Sequence, residues 1–385
     1  MKLSLIPKPL RSIAVKIENE ERISDQEAIE LYRSTDLNAL GIMASAVRER
    51  KNGNVATYIL NRYINYSNIC VLSCQFCAFA AKKRDAHAFE SSIDEIVAAV
   101  EEALSSGITE VHMVGGLHPS LDKQWYLDLL HRLRALDPQL QLKAFTAIEI
   151  RHLARRIFKT SIAETLGILR EAGLCSLTGG GAEIFDPGVR DELCRGKESA
   201  AEWLEVHRIW HQMGGRSTCT MLFGHIESDE QRVDHLRQLR ELQDETHGFT
   251  GFIPFAFEPG ASTVLSHIPM ATAFDQLRNL AVSRIYLDNI EHLTAYWVSM
   301  GLPLAQVALS YGVDDLHGTI MREKIFHMAG VTTPEEQTVE TLRHVIREAG
   351  REPMQRDSFY NRIPPKQPAA SSTAASPEEG DLVCA

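Results

Sequence analysis

The feature that most restricts what this chain can fold into is a recurring unit, a short apolar run followed by a segment that opens on Ser or Thr with Glu or Gln three residues later. In such a pair the hydroxyl accepts from a free backbone N–H of the first helical turn, and the acid or amide reaches back to the capping N–H. Each pair therefore marks a helix start. Ser24/Glu27, Ser92/Glu95, Ser161/Glu164, Ser199/Glu202, Ser228/Gln231 and Thr333/Glu336 fit this pattern. The apolar runs lie near Tyr63–Tyr66, Glu110–Val114, Gln141–Ile148, Leu174–Leu177, Arg216–Phe223, Gly251–Phe257, Ile285–Leu287 and Gln306–Leu309. Strands separated by helices at the ~30-residue spacing of βαβ units imply a parallel sheet. Eight of them predict an α/β fold, a (β/α)8 TIM-type barrel, with an open doubly wound sheet as the alternative.

The flanks divide the chain further. Ile23 to Arg50 reads as one or two helices ending at Asn52-Gly53, which makes residues 1–55 an N-terminal helical cap and 56–320 the barrel. Residues 321–363 read as C-terminal helices, Met321–Ala329 and Pro334–Ala349. Residues 364–385 are rich in Pro, Ala and Ser with no aromatic residue, a tail expected to be disordered, and Cys384 falls in it. The 385 residues carry 40 Lys+Arg against 51 Asp+Glu, a net charge of −11. That balance argues against broad binding to nucleic acid or to anionic membranes. No run of 18 apolar residues occurs, and Pro7 and Pro9 interrupt the N-terminus before a signal-peptide core could form, so the expected compartment is the cytoplasm.

Three of the seven cysteines, Cys70, Cys74 and Cys77, stand at C-x3-C-x2-C spacing in one loop after the first strand. Clustered thiolates suit an iron–sulfur cluster or zinc. A closed zinc site needs a fourth ligand, for which the nearest candidate is His87 in a lysine-rich stretch; a ferredoxin needs a fourth cysteine at close spacing. Three ligands on a four-iron cluster leave one iron open to another molecule. With Phe76 before the third cysteine, the loop resembles that of the radical S-adenosylmethionine enzymes. The resemblance implies a [4Fe-4S] cluster held by Cys70, Cys74 and Cys77. Its open iron would chelate the methionine part of S-adenosyl-L-methionine, with Phe76 near the adenine. One electron would then cleave the S–C5′ bond to give an adenosyl radical. Val114-Gly115-Gly116-Leu117 resembles the family's Gly-Gly-Glu element, which binds the methionine amino group, with Leu117 where Glu is usual. On that resemblance Gly115 and Gly116 are cofactor-binding residues.

Other polar residues follow strand candidates: Thr146 and Glu149, Glu183 after three glycines, His225 after Gly224, Glu258, and Asp288 with Asn289. In a barrel such positions converge on one pocket. Glu149, Glu183 and His225 are the catalytic candidates. Cys175, Cys194 and Cys219 read as buried and neutral. Val111–Pro119, Lys143–Ile150, Gly179–Phe185, Leu242–Thr246 and Asp314–Thr319 resemble the aminofutalosine (aminodeoxyfutalosine) synthases within the wider family. Cyclases of dehypoxanthine futalosine and deazaflavin-precursor synthases share the cysteine loop. The implied reaction adds the adenosyl radical to 3-[(1-carboxyvinyl)oxy]benzoate and gives 6-amino-6-deoxyfutalosine, methionine and bicarbonate for menaquinone biosynthesis. It calls for an electron donor such as flavodoxin or ferredoxin. It also calls for groups that neutralise two substrate carboxylates, for which His118 and His225 are the candidates. A non-catalytic iron–sulfur electron carrier and a structural zinc protein are the readings from other classes.

Overall fold

A computed structural model describes residues 1–260 and 263–364. The strands are β1 (Val55–Ile59), β2 (Asn61–Ile64), β3 (Glu110–Met113), β4 (Gln141–Ala144), β5 (Leu174–Leu177), β6 (Arg216–Phe223), β7 (Phe249–Ala256), β8 (His292–Leu293), β9 (Asp315–Gly318), β10 (Glu352–Arg356) and β11 (Arg362–Ile363). Strands β2 to β8 lie side by side in chain order in one seven-stranded parallel sheet. β2 and β3 are buried along their whole length, as strands with cover on both faces must be.

The sheet curls until β9 bridges its two ends. On one side Asp314 N donates to Leu293 O at 3.1 Å and Ala295 N to Asp315 O at 2.9 Å. On the other, β9 pairs in parallel with β1, and Tyr63 N donates to Ile320 O at 2.8 Å. Side chains complete the seam, because Asn61 N donates to Thr319 Oγ1 and Ile320 N to Asn61 Oδ1. At Gly318 a Cβ would stand 2.2 Å from Ile59 O, so only glycine lets the strands meet there. The result is the parallel barrel expected from the repeating unit, with β10 and β11 added beside β1.

Five of the six expected capping boxes form, at Ser24, Ser92, Ser161, Ser199 and Ser228, and Thr146 with Glu149 makes one more. Thr333 does not start a helix. Its hydroxyl donates to Val298 O, residues 335 and 337 bond to Arg322 and Thr319, and the helix begins after Thr338 as Val339–Glu348. Two strand expectations also fail. Ile285 and Tyr286 end helix Ala273–Tyr286, and Gln306 to Ala308 lie in helix Leu302–Ala308, which carries Pro303 in its first turn. Gln141–Ile148 splits, because Thr146 caps helix Ala147–His152. The segment 321–363 holds helices Ile325–Ala329 and Val339–Glu348 together with β10 and β11, so it is not purely helical. The expected tail lies outside the described residues from 365 onward. The N-terminal helices, expected as a cap, lie against helices of the barrel. They pack on its flank, where Tyr32 bonds Asn279, Arg33 bonds Glu230 and Arg22 bonds both Asp244 and Asp288. Among the described residues no helix is long and apolar enough to cross a membrane.

The β10–β11 arm closes the barrel at the starts of β3 and β4. Arg356 forms a two-bonded ion pair with Asp315 (2.5 and 2.9 Å), Ser358 Oγ donates to Glu110 Oε2 at 2.7 Å, and the Tyr360 ring stacks on His292. Burial pushes the Asp315 carboxyl up, but the Arg356 guanidinium outweighs it and leaves it lowered to about 2. Glu110 is likewise raised by burial and drawn down to about 2 by Lys143, among others. Because both folded-state values are depressed, the stability they contribute is complete above about pH 5 and is lost as pH falls towards 2. Urea midpoints should be flat with respect to these groups from pH 6 upward and should drop below pH 5. Asp315→Ala strands a buried Arg356 charge, so it should lose about 3–5 kcal/mol at pH 7 and show a shallower acid dependence.

Candidate active site

Parallel strands direct their C-terminal ends to one side of a barrel, and the βα turns there carry its chemistry. At that end lies a mostly apolar cavity of about 280 Å³. Cys70, Cys74, Phe76, Cys77, Gly115, Gly116, Glu149, Glu183 and Glu258 all line it. The structure does not bring His118 or His225 to its wall. Both rings turn back on their own loops. His118 Nδ1 accepts from Ser120 N and Leu121 N while Nε2 lies 2.6 Å from Glu90, and His225 Nδ1 accepts from Ile226 N with Nε2 on Leu222 O. Asp288 and Asn289 follow the misassigned strand and sit on the barrel flank with Arg22 and Asp244.

The cysteine loop is tied down along its length. Cys70 N donates to Ala81 O, Val71 N to Leu117 O and Gln75 N to Leu193 O, and Lys82 Nζ holds the carbonyls of Cys70 and Leu72. Burial pushes the Cys74 thiol up to about 12 and the Cys77 thiol up as well, with Lys197 opposing both. Such thiols become thiolates only when a cation takes the proton's place, as metal ligation does. Three thiols along one cavity, with a lysine beside them, are a donor set that suits a cluster with one free corner, although among the described residues the three are not drawn together into a ligand group.

The two glycines serve packing as much as access. Gly115 N donates to Glu149 Oε1 at 3.1 Å, and a Cβ on Gly115 would stand 2.5 Å from the Tyr66 ring. A Cβ on Gly116 would meet Ile69 O at 2.4 Å, one residue before Cys70. Glu149 is a strut: one oxygen accepts from Thr146 N and Oγ1, the other from Tyr66 Oη and Gly115 N, and burial raises its pKa. Glu183 has φ 48°, a strained value for a non-glycine, and pairs with Lys197 at 2.5 Å. Burial lowers the Lys197 pKa, but Glu183 and Cys74 outweigh it and leave it raised, and Nζ lies 5.6 Å from the Phe76 ring centre.

Sequence reasoning missed several residues that line the cavity: Lys197, Tyr63, His112, His317, Tyr296 and Glu323. Lys197 lies in the link between helices Pro187–Cys194 and Ala200–Gln212, where no periodic pattern marks it. The inward-facing strand residues Tyr63, His112 and His317 could have been found by counting alternate positions from a fixed register.

Residues 64–239 match the family described as "Radical SAM superfamily", and residues 246–368 match "CofH/MqnC C-terminal region". The chain therefore belongs to the radical SAM enzymes, and such an enzyme works with a [4Fe-4S] cluster and S-adenosylmethionine. It is 43% identical to aminodeoxyfutalosine synthase of Thermus thermophilus over 91% of this chain and 95% of that one. It is 37% identical to cyclic dehypoxanthine futalosine synthase of Streptomyces coelicolor over 89% and 86%. It is also 38% identical to 5-amino-6-(D-ribitylamino)uracil–L-tyrosine 4-hydroxyphenyl transferase of Methanoculleus marisnigri over 94% of this chain and 100% of that one. Among solved structures, methylornithine synthase superposes with a TM-score of 0.72 at 17% identity, over 88% of this chain and 96% of that one, which shows the shared fold.

Because Gly116 abuts the backbone of the cysteine loop, Gly116→Val should displace that loop. Reconstituted protein should lose most of its cluster-bound iron and about 1–3 kcal/mol of stability. Iron and sulfide analysis beside urea unfolding checks this, and a variant with full iron content would show that the loop tolerates the side chain.

Proposed function

We propose that this enzyme joins the adenosyl group of S-adenosylmethionine to 3-[(1-carboxyvinyl)oxy]benzoate, giving, with one water consumed, 6-amino-6-deoxyfutalosine, methionine and bicarbonate. Two aminodeoxyfutalosine synthases, 43% and 40% identical over 91% of the chain, are the observation that carries this reading. The cavity supports it with its three-cysteine wall and apolar surround. On this reading Cys70, Cys74 and Cys77 hold the cluster, Phe76 flanks the adenine, and the Gly115–Gly116 turn borders the methionine part. When bound, the cluster supplies the electron that cleaves the S–C5′ bond.

The chain's own residues shelter and position the reacting groups. Phe255, Phe257, Tyr296, Phe326 and Ile253 give the cavity apolar walls that keep water from a reactive radical. Glu149, held by four donors, fixes the Gly115 turn, so its role is positioning. Lys197, with Glu183, puts a positive charge beside Phe76 and the sulfurs, where electron density arrives. The electron comes from a small redox protein of the flavodoxin or ferredoxin type, and the reduced cysteines suit the cytoplasm.

Anaerobic reconstitution with dithionite, S-adenosylmethionine and the enolpyruvyl benzoate should give a product that contains adenine, with only minor 5′-deoxyadenosine by mass analysis. Cys70→Ala, Cys74→Ala and Cys77→Ala should each abolish methionine release. Turnover of dehypoxanthine futalosine, or of tyrosine with the ribitylaminouracil, would move the chain to the activity of another relative.

A further inference from the structure

Among the described residues that line the cavity, Lys197 is the only lysine or arginine, and it is already paired with Glu183. An aromatic dicarboxylate, the substrate class of the proposed reaction on which this inference rests, brings two negative charges into that space. Of the other lining groups that can carry positive charge, His317 has Nε2 on Tyr63 Oη and Nδ1 sealed, which leaves the His112 ring. His112, on β3, is 8% exposed and lines the cavity. Its ring lies flat on Tyr63 of β2, with centroids 4.3 Å apart and planes 4° from parallel, which fixes its orientation. Nδ1 is sealed from solvent, stands 3.8 Å from Glu110 Oε1 and makes no hydrogen bond. Nε2 has no partner among the described residues either. Unlike Nδ1 it is not sealed, so it is the nitrogen presented to the cavity.

The charged and titratable groups around the ring are Glu110 on its own strand, Lys143 on β4 and His317 on β9, with Tyr63 against its face. Behind His317 lies the Asp315–Arg356 pair. Burial and then Lys143 hold the imidazole down to about 3 against the opposing pull of Glu110, so the ring is neutral near pH 7. A carboxylate on Nε2 changes the balance. Negative charge then stands on both sides of the ring, Glu110 behind and ligand in front, and both favour the imidazolium.

We propose that His112 Nε2 is the docking point for one carboxylate of the aromatic substrate, and that the ring takes up one proton from solvent as that carboxylate binds. The new N–H bond forms at Nε2 and donates to the ligand oxygen, while the Nδ1–H faces Glu110. No other bond changes. Uptake of one proton makes affinity fall as pH rises, about tenfold in Kd per pH unit between the free and bound pKa values of the ring.

The test is calorimetric binding of 3-[(1-carboxyvinyl)oxy]benzoate to the cluster-reconstituted enzyme with S-adenosylmethionine and no reductant, so that nothing turns over. Titrations from pH 5 to 7, in buffers of different ionisation enthalpy, should show proton uptake that grows as pH falls, with Kd weakening as pH rises. His112→Asn, checked for iron content and circular dichroism, should bind at least about tenfold more weakly, with no pH dependence over that range. Wild-type binding without proton uptake, a result that needs no variant, overturns the proposal and leaves the substrate reading intact. So does a well-folded His112→Asn that binds as tightly as wild type. Absence of wild-type binding contradicts the substrate reading and the docking point together.

Discussion

The catalytic end of this barrel depends on one close approach of two backbones. Gly116, just past β3, lies so near Ile69 that no side chain fits between them. Two hydrogen bonds hold that contact, Gly116 N to Ser67 O and Val71 N to Leu117 O. The cysteine loop is thereby laid along the end of the sheet, and Cys70, Cys74 and Cys77 face the cavity. Glu149 braces the same turn through Gly115 and Tyr66. A buried carboxylate with all its lone pairs occupied is costly to disturb, so the turn is rigid before any ligand arrives.

The barrel interior below the cavity is unusually polar, with Glu110, Lys143, His112, His317, Asp315 and Arg356 all buried. Their charges balance, two acids against two bases, with the imidazoles held neutral by burial. The β10–β11 arm supplies Arg356 and so completes this balance. A segment far along the chain therefore sets the electrostatics of a pocket floor that it does not line. Buried pairs of this kind contribute little net stability but penalise any arrangement that separates them.

Much of this was legible in the sequence, for local reasons. Capping boxes depend on residues three apart, and five of six formed where expected. Thr333 failed because Val298 O claims its hydroxyl, a contact made only by the fold. The strands Leu174–Leu177 and Arg216–Phe223 stand where the apolar runs put them. Ile285–Leu287 and Gln306–Leu309 are equally apolar but belong to helix ends, because a run that short carries no period of its own. The three cysteines announced themselves by spacing. His118 and His225 looked like site residues because each follows a strand and a glycine, yet His225 serves its own loop and His118 ties its loop to Glu90. His112 falls in a stretch that carries the family resemblance, but that it faces the cavity depends on register; Lys197, which also lines the cavity, gave no signal, since its place depends on how two helices are linked.

The central claim is that the adenosyl fragment is added to the substrate instead of abstracting hydrogen from it. S-adenosylmethionine carrying two deuterium atoms at C5′ tests this most directly, with the enolpyruvyl benzoate as co-substrate and mass analysis of the products. Addition leaves both labels in a product that contains adenine and benzoate, and no substrate hydrogen moves to C5′. Label recovered chiefly in 5′-deoxyadenosine, with a third hydrogen taken from the substrate, would contradict the account.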